Sequence, residues 1–219
     1  MKKVKKYLDL NEQTYRLIRG EITDRIVTLT KESQAKIQER DEILPELEKL
    51  KNEAIRLQEQ IRIVSQEIVS NTQEIKSSKK FSDKLKKGYS SSNEYYIDAA
   101  QKSIRNKNPK KLNNYVLLTE ENFRLTEDSL TDLIIEKTEQ NKANVIKRNL
   151  FKEKLLDFRR MIAELEEVLA KIDRLINSNN KSIKNYQKFD DELTYGYSSD
   201  KDYIVDRANQ KVQLKRKKR

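Results

Sequence analysis

Apolar residues in this sequence recur in alternating steps of three and four. Between positions 47 and 75 they are Leu47, Leu50, Ala54, Leu57, Ile61, Val64, Ile68 and Ile75, with Asn71 taking one place in the series. Between 155 and 183 they are Leu155, Phe158, Ile162, Leu165, Leu169, Ile172, Ile176 and Ile183, with Asn179 in the corresponding place. Steps of three and four bring side chains onto one stripe of a helix, and a stripe sustained this long is an a/d seam of the coiled-coil kind. The intervening Glu, Gln, Lys and Arg read as solvated helix faces. A polar Asn in such a seam can fix the register of paired helices, and Asn71 and Asn179 are candidates for that role.

The two seams lie 108 residues apart, and so does much else. Lys2, Lys3 and Tyr7 fall on Lys110, Lys111 and Tyr115; Arg16, Leu17, Thr23, Asp24 and Ile26 fall on Arg124, Leu125, Thr131, Asp132 and Ile134. Gly88, Tyr89, Ser90, Ser91, Tyr95 and Asp98 return as Gly196, Tyr197, Ser198, Ser199, Tyr203 and Asp206, with no gap anywhere. Compositional bias does not place Gly, Tyr, Ser and Arg in register. The pattern implies a tandem duplication, with units at 1–108 and 109–219.

Within each unit a weaker helical segment precedes the strong seam, carried by Tyr15, Ile22, Ile26, Leu29 and Ile37, and by Phe123, Leu130, Ile134 and Val145. It becomes polar around Ser33 and Asn141. Pro45 suits the first turn of a helix, so a turn near 40–46 and an antiparallel hairpin are expected in each unit, with arms of ~33 residues or about 50 Å. The competing model is one continuous helix of ~70 residues per unit. After the seam, Gly88 and Gly196 stand where a helix commonly ends on a left-handed residue. Ser91 with Glu94, and Ser199 with Asp202, resemble capping boxes, so short helices are expected over about 92–105 and 200–213. The fold class is therefore all-α: an elongated coiled-coil or helical-hairpin bundle built on a duplicated unit.

Composition narrows the function. The 219 residues include 38% charged and 35% hydrophobic positions, with 3 Gly and 2 Pro. This suits a thin seam better than a thick core. Without Cys or His, thiol chemistry, zinc–cysteine sites and imidazole acid–base catalysis are excluded. Clustered glycines of a phosphate-binding loop are lacking. The carboxylate pairs Asp190-Asp191 and Glu166-Glu167 lie in charge-rich helical contexts and read as solvated. No cofactor or metal is expected, and the chain reads as a non-enzymatic protein. No apolar run approaches the ~18 residues of a membrane span, and the charged opening Met1–Lys6 lacks a following apolar stretch. The expected setting is cytoplasmic or within a virion or other particle, not secreted.

The net charge is +11, gathered in Lys2–Lys6, Lys76–Lys87, Lys102–Lys111 and Lys211–Arg219. Folded hairpins would bring these tracts to one basic pole able to attract anionic partners. Candidate contacts are Lys84, Lys86, Lys87 and the tail Lys215, Arg216, Lys217, Lys218 and Arg219. Unit two carries Glu192, Thr194 and Tyr195 in place of the first triplet, so the two elbows should differ in what they meet. The elbows themselves, Gly88, Tyr89, Ser91, Tyr95 and Gly196, Tyr197, Ser199, Tyr203, are the candidate partner-binding sites. Their tyrosines are read first as cover for the end of the core, and second as stacking groups for bases. The leading expectation is a structural or assembly protein with protein partners in a larger particle, homo-oligomerisation being open. The alternative is a sequence-nonspecific nucleic-acid-binding accessory protein, and an anionic-membrane scaffold is a third idea.

Overall fold

The computed structural model describes residues 7–106 and 114–215. Strand β1 (Leu8–Asp9) leads into helix α1 (Glu12–Tyr89), followed by β2 (Tyr96–Asp98), β3 (Ser103–Arg105) and β4 (Val116–Leu117). Helix α2 (Glu120–Tyr197) and strands β5 (Tyr203–Asp206) and β6 (Lys211–Leu214) complete the order. Each helix runs unbroken for 78 residues, and the fold is predominantly helical.

Contacts divide the chain into two units. Unit 1 takes Met1–Leu50 and Met161–Arg219, and unit 2 takes Lys51–Arg160. Each therefore combines the first part of one 108-residue segment with the last part of the other. In unit 1 the α1 and α2 portions run antiparallel, as the pairs Arg19–Asp190 at 3.5 Å and Arg40–Asp173 at 3.9 Å require. In unit 2 the same sense comes from Ser82 donating to Glu127 at 2.7 Å and Asn144 donating to Glu67 at 3.1 Å.

No turn forms at 40–46, and the continuous-helix model replaces the hairpin expected within each 108-residue segment. The reason lies in the phase of the seam. Inward positions proceed through Leu29, Ser33, Lys36, Arg40, Ile43, Leu47 and Leu50 in unbroken steps of three and four. Pro45 sits on the exposed side, inside the helix. A proline there removes one backbone hydrogen bond, while a turn would break the phase on both sides. All eighteen residues of the two strong seams are buried or half-buried. Of the weaker segments, Ile37 and Val145 fall outside the seam and are exposed.

Both helices begin on a polar cap. Asn11 Oδ1 accepts from the Thr14 N–H at 2.9 Å, and Thr119 Oγ1 accepts from the Asn122 N–H at 3.2 Å. Each cap satisfies one of the first-turn donors, and Glu12, Glu120 and Glu121 add charge favourable to the helix dipole there.

The short helices expected over 92–105 and 200–213 are β-hairpins instead. Tyr96-Ile97 and Tyr203-Ile204-Val205 are aromatic and β-branched, suited to a half-buried pleated surface. Ser91 Oγ accepts from the Asn93 N–H at 3.1 Å and Ser199 Oγ from the Lys201 N–H at 3.3 Å. These are tight Ser turns, which the capping-box pattern resembles but which lead into strands. In unit 1 the strand order is β1-β5-β6, with Leu8 opposite Val205 and Val205 opposite Val212. In unit 2 the order is β4-β2-β3, with Val116 opposite Ile97 and Ile97 opposite Ile104. All pairings are antiparallel, and every pair of the unit 2 sheet has its counterpart 108 residues away in the unit 1 sheet, which adds Tyr203 opposite Leu214.

Each sheet closes a small core. In unit 1 it comprises Ile18, Ile22, Phe189, Leu193 and Val205, flanked by Leu10, Tyr15, Ile26, Tyr186 and Val212. In unit 2 it comprises Phe81, Leu85, Ile97 and Leu130, flanked by Ile104, Leu118 and Phe123. Gly88 and Gly196 serve this packing. Neither has a positive φ, contrary to the left-handed cap expected, and both lie within the last turn of their helices. A Cβ on Gly88 would come within 2.5 Å of Ile104 Cδ1, and one on Gly196 within 3.0 Å of Leu10 Cδ2 and Val212 Cγ1. The glycines allow the hairpin to lie against the helix end.

The three glycines thus give an ordered series. Gly20 has open space around it, so Gly20→Ala should stabilise by about 0.8–1 kcal/mol through helix propensity. In Gly88→Ala that gain is outweighed by overpacking of about 1–3 kcal/mol, and Gly196→Ala should fall between. Thermal unfolding followed at 222 nm should rank the midpoints Gly20→Ala, Gly196→Ala, Gly88→Ala from highest to lowest.

Candidate partner-binding elbows

Each elbow is the junction of a helix end, a Ser turn and a hairpin, and the two are built alike. In unit 2, Tyr89 stacks on Phe123 with ring centroids 4.4 Å apart and planes inclined by 11°. In unit 1, Tyr197 stacks on Tyr15 at 4.2 Å and 7°. The last turn of one helix is thereby pinned to the first turn of the other within each unit. Both tyrosines keep an exposed edge. Tyr95 and Tyr203 are half-buried, and their carbonyls accept from the N–H groups of Leu118 at 2.8 Å and Leu10 at 3.0 Å. Tyr195 is exposed and meets Tyr203 edge-on at 6.4 Å. The elbow tyrosines thus lie around the two small cores rather than within them.

The hairpin turns depend on residues that the sequence pattern does not single out for this purpose. Asp98 and Asp206 are buried, and each Oδ1 accepts from the backbone N–H three residues on, Gln101 at 3.0 Å and Asn209 at 3.2 Å. This is the carboxylate-to-backbone bonding that favours Asp in turns. Lys102 and Gln210 come next with φ of 50° and 52°, so the left-handed residues occur here and not at the glycines. Asp98 and Asp206 belong to the recurrent stretch, and that recurrence is the only signal for them. Lys102 turns inward, donating to the buried Ser78 hydroxyl at 2.8 Å and lying 4.0 Å from Glu74.

The candidate cations among the described residues are divided between the two units. Lys84, Lys86 and Lys87, with Lys102 and Arg105, belong to unit 2, whereas Lys215 belongs to unit 1. Lys2–Lys6, Lys107–Lys111 and Arg216–Arg219 lie outside the described residues. Lys84 and Lys87 are exposed. Lys86 donates to Glu127 at 2.7 Å, and that hydrogen bond, with the carboxylate's charge, raises its pKa above the ordinary lysine value. Lys215 is held to Asp9 at 2.6 Å and its pKa is raised in the same way. A raised lysine pKa means that both contacts persist at neutral pH and fade only as pH climbs through the folded-state value. Each pair also removes a positive charge from those available to an external anion.

The two seam asparagines differ. Asn71 is buried and its Nδ2 lies 3.5 Å from Gln140 Oε1, within a polar layer where Asn141 donates to Thr72 at 3.2 Å. A groove of about 430 Å³ opens beside it, lined by Glu67, Ser70, Asn71, Gln140, Ala143 and Asn144. Asn179 is only half-buried. Among the described residues no group of three or more Asp, Glu, His or Cys could hold a metal ion, and no helix is long and apolar enough to cross a membrane.

No family model matches the chain, and the searches of curated proteins and of solved structures likewise gave no match.

The stacked rings make a quantitative expectation possible. A double-mutant cycle on Tyr89→Ala and Phe123→Ala should return a coupling of about 0.5–1.5 kcal/mol in urea unfolding. The cycle on Tyr15→Ala and Tyr197→Ala should match it, and a coupling near zero in either would mean that the rings do not pin the helix ends.

Proposed function

We propose that this chain is a non-enzymatic assembly protein, a duplicated coiled coil that presents two related elbows to protein partners in a larger particle. A virion or phage particle is the setting that best suits its composition. The observation that carries this reading is the correspondence of the two elbows. The cap, aromatic stack, Ser turn, buried Asp, left-handed residue and strand order all recur at a spacing of 108 residues. Meanwhile residues near the helix ends have diverged: the exposed Lys84, Lys86 and Lys87 stand where the other elbow has half-buried Glu192 and exposed Thr194 and Tyr195. A shared scaffold with different outer faces suits a bridging role with two unlike contacts. Asn71 and Asn179 would set the register of the coiled coil, at some cost in stability.

The second reading, nucleic-acid binding without sequence preference, is favoured by one feature. Lys84, Lys87 and Tyr89 are all exposed in the last two turns of α1, residue types suited to phosphate and base contact. It predicts affinity that falls steeply as salt rises.

The discriminating measurement is site-specific photo-crosslinking in the native cells, with the probe at Lys87 or at Tyr195. The assembly reading expects discrete protein adducts that differ between the two positions. It also expects the Lys87 adduct to disappear when Lys84→Glu and Lys86→Thr are combined. Adducts to nucleic acid alone would replace this reading with the second one.

A further inference from the structure

Within unit 2 the outer face of α2 carries an apolar stripe that no other element covers. Leu125, Ile135, Ile146 and Leu156 are 63%, 51%, 70% and 69% exposed. They are separated by ten, eleven and ten residues, about three turns each at the 3.5 residues per turn that the inward seam of α2 keeps. The residues that α2 turns inward in this unit, among them Leu130, Asn141 and Leu155, lie on the other side of the helix. Isolated exposed leucines are ordinary on any surface. Two further properties set these apart.

The first is symmetry. Leu125 and Leu156 lie equally far from the midpoint between Gln140 and Asn141, and so do Ile135 and Ile146. The second is charge. Residues 120–139 hold seven carboxylates against two cations, and residues 142–160 hold seven cations against two carboxylates. The acidic and basic halves meet at the same midpoint.

The matching stretch of α1, in unit 1, has neither property. Its corresponding residues are Leu17, Val27, Gln38 and Glu48. There 12–31 hold three carboxylates and four cations, and 34–52 hold five and four. Stripe and polarity are thus particular to α2, although the inward seam is common to both helices. They do not arise from pairing α1 with α2.

We infer that this face of α2 is an isologous docking surface for a second copy of the chain, antiparallel and centred between Gln140 and Asn141. A contact of that symmetry is self-complementary. Leu125 packs on Leu156 of the second copy, and Ile135 on Ile146. The acidic half of each helix lies along the basic half of the other, with Glu139 beside Lys142 of the second copy. Asp128 falls level with Glu153 of the second copy, whose neighbours Lys152 and Lys154 offset the like charge. A parallel arrangement would set seven carboxylates against seven, which opposes it electrostatically. The inference is independent of what the elbows bind.

Sedimentation equilibrium of the full chain tests it. Over about 1–100 μM the protein should pass from monomer to dimer, with the dimer weakened by added salt. Ile146→Glu should weaken dimerisation roughly 30-fold or more and leave the far-ultraviolet circular dichroism unchanged, since that side chain is exposed. The control Gln38→Lys, at the matched position of α1, should have no effect. Glu139→Lys should weaken the dimer and the added Lys142→Glu should restore it, because the swap re-forms both intermolecular pairs. A monomer throughout this range would overturn the inference. So would a dimer indifferent to Ile146→Glu, or a double variant no tighter than Glu139→Lys alone.

Discussion

The phase of one seam governs most of this molecule. A pair of helices with no thick core is held by the single stripe that each turns toward the other, and every inserted turn would shift that stripe away from its partner. The steps of three and four pass through apolar Leu29 and Leu47, through polar Ser33, Lys36 and Arg40, and past Pro45. Keeping phase matters more here than keeping each position apolar. The polar stretch remains helical because the apolar contacts before and after it fix where it must lie. Arg40 meets this demand by reaching Asp173 and Asp41, both acidic partners at its own level. Ser33 meets it less well, being buried with an unpaired hydroxyl.

The seams are legible in the sequence because their signal is redundant. Nine residues in each agree on one stripe, and an interruption by Asn71 or Asn179 leaves that stripe intact. Pro45 misleads when a single residue is weighed without its phase. A proline on the outer side of a continuing stripe costs one hydrogen bond, and the same proline on the inner side would have marked a boundary. The expectation of a single basic pole rests on the turn at 40–46, and without it the described cations are allotted to two units.

The elbows are legible as locations but not as conformations. Gly88 and Gly196 stand out in the sequence, yet the physical requirement is room for Ile104, Leu118, Leu10 and Val212, not a left-handed backbone. Ser91 and Ser199 form turns whose spacing imitates a helix cap. The residues immediately after a Ser turn decide whether a helix or a strand comes next, and Tyr96-Ile97 and Ile204-Val205 favour strands. The pairing of β1 with β5, or of β4 with β2, has no local signal, because a two-residue strand such as Leu8–Asp9 or Val116–Leu117 has too little pattern of its own. Tyr15 and Phe123 are recognisable as seam residues, but their stacking on Tyr197 and Tyr89 depends on the antiparallel register.

The allotment of residues to the two units also has a consequence in time. Unit 2 is contiguous, Lys51–Arg160, so everything it needs has emerged once that stretch leaves the ribosome. Unit 1 requires Met161–Arg219 to find a partner strand and helix portion already synthesised more than a hundred residues earlier. Synthesis proceeds from the N-terminus at a pace of seconds per such stretch, so the first 50 residues must wait with their seam side unpaired. During that interval Ile18, Ile22 and Leu29, later buried against the end of the chain, are the residues most in need of protection. Birth order therefore lets the contiguous unit 2 close before unit 1, whose two pieces are separated by the whole of unit 2.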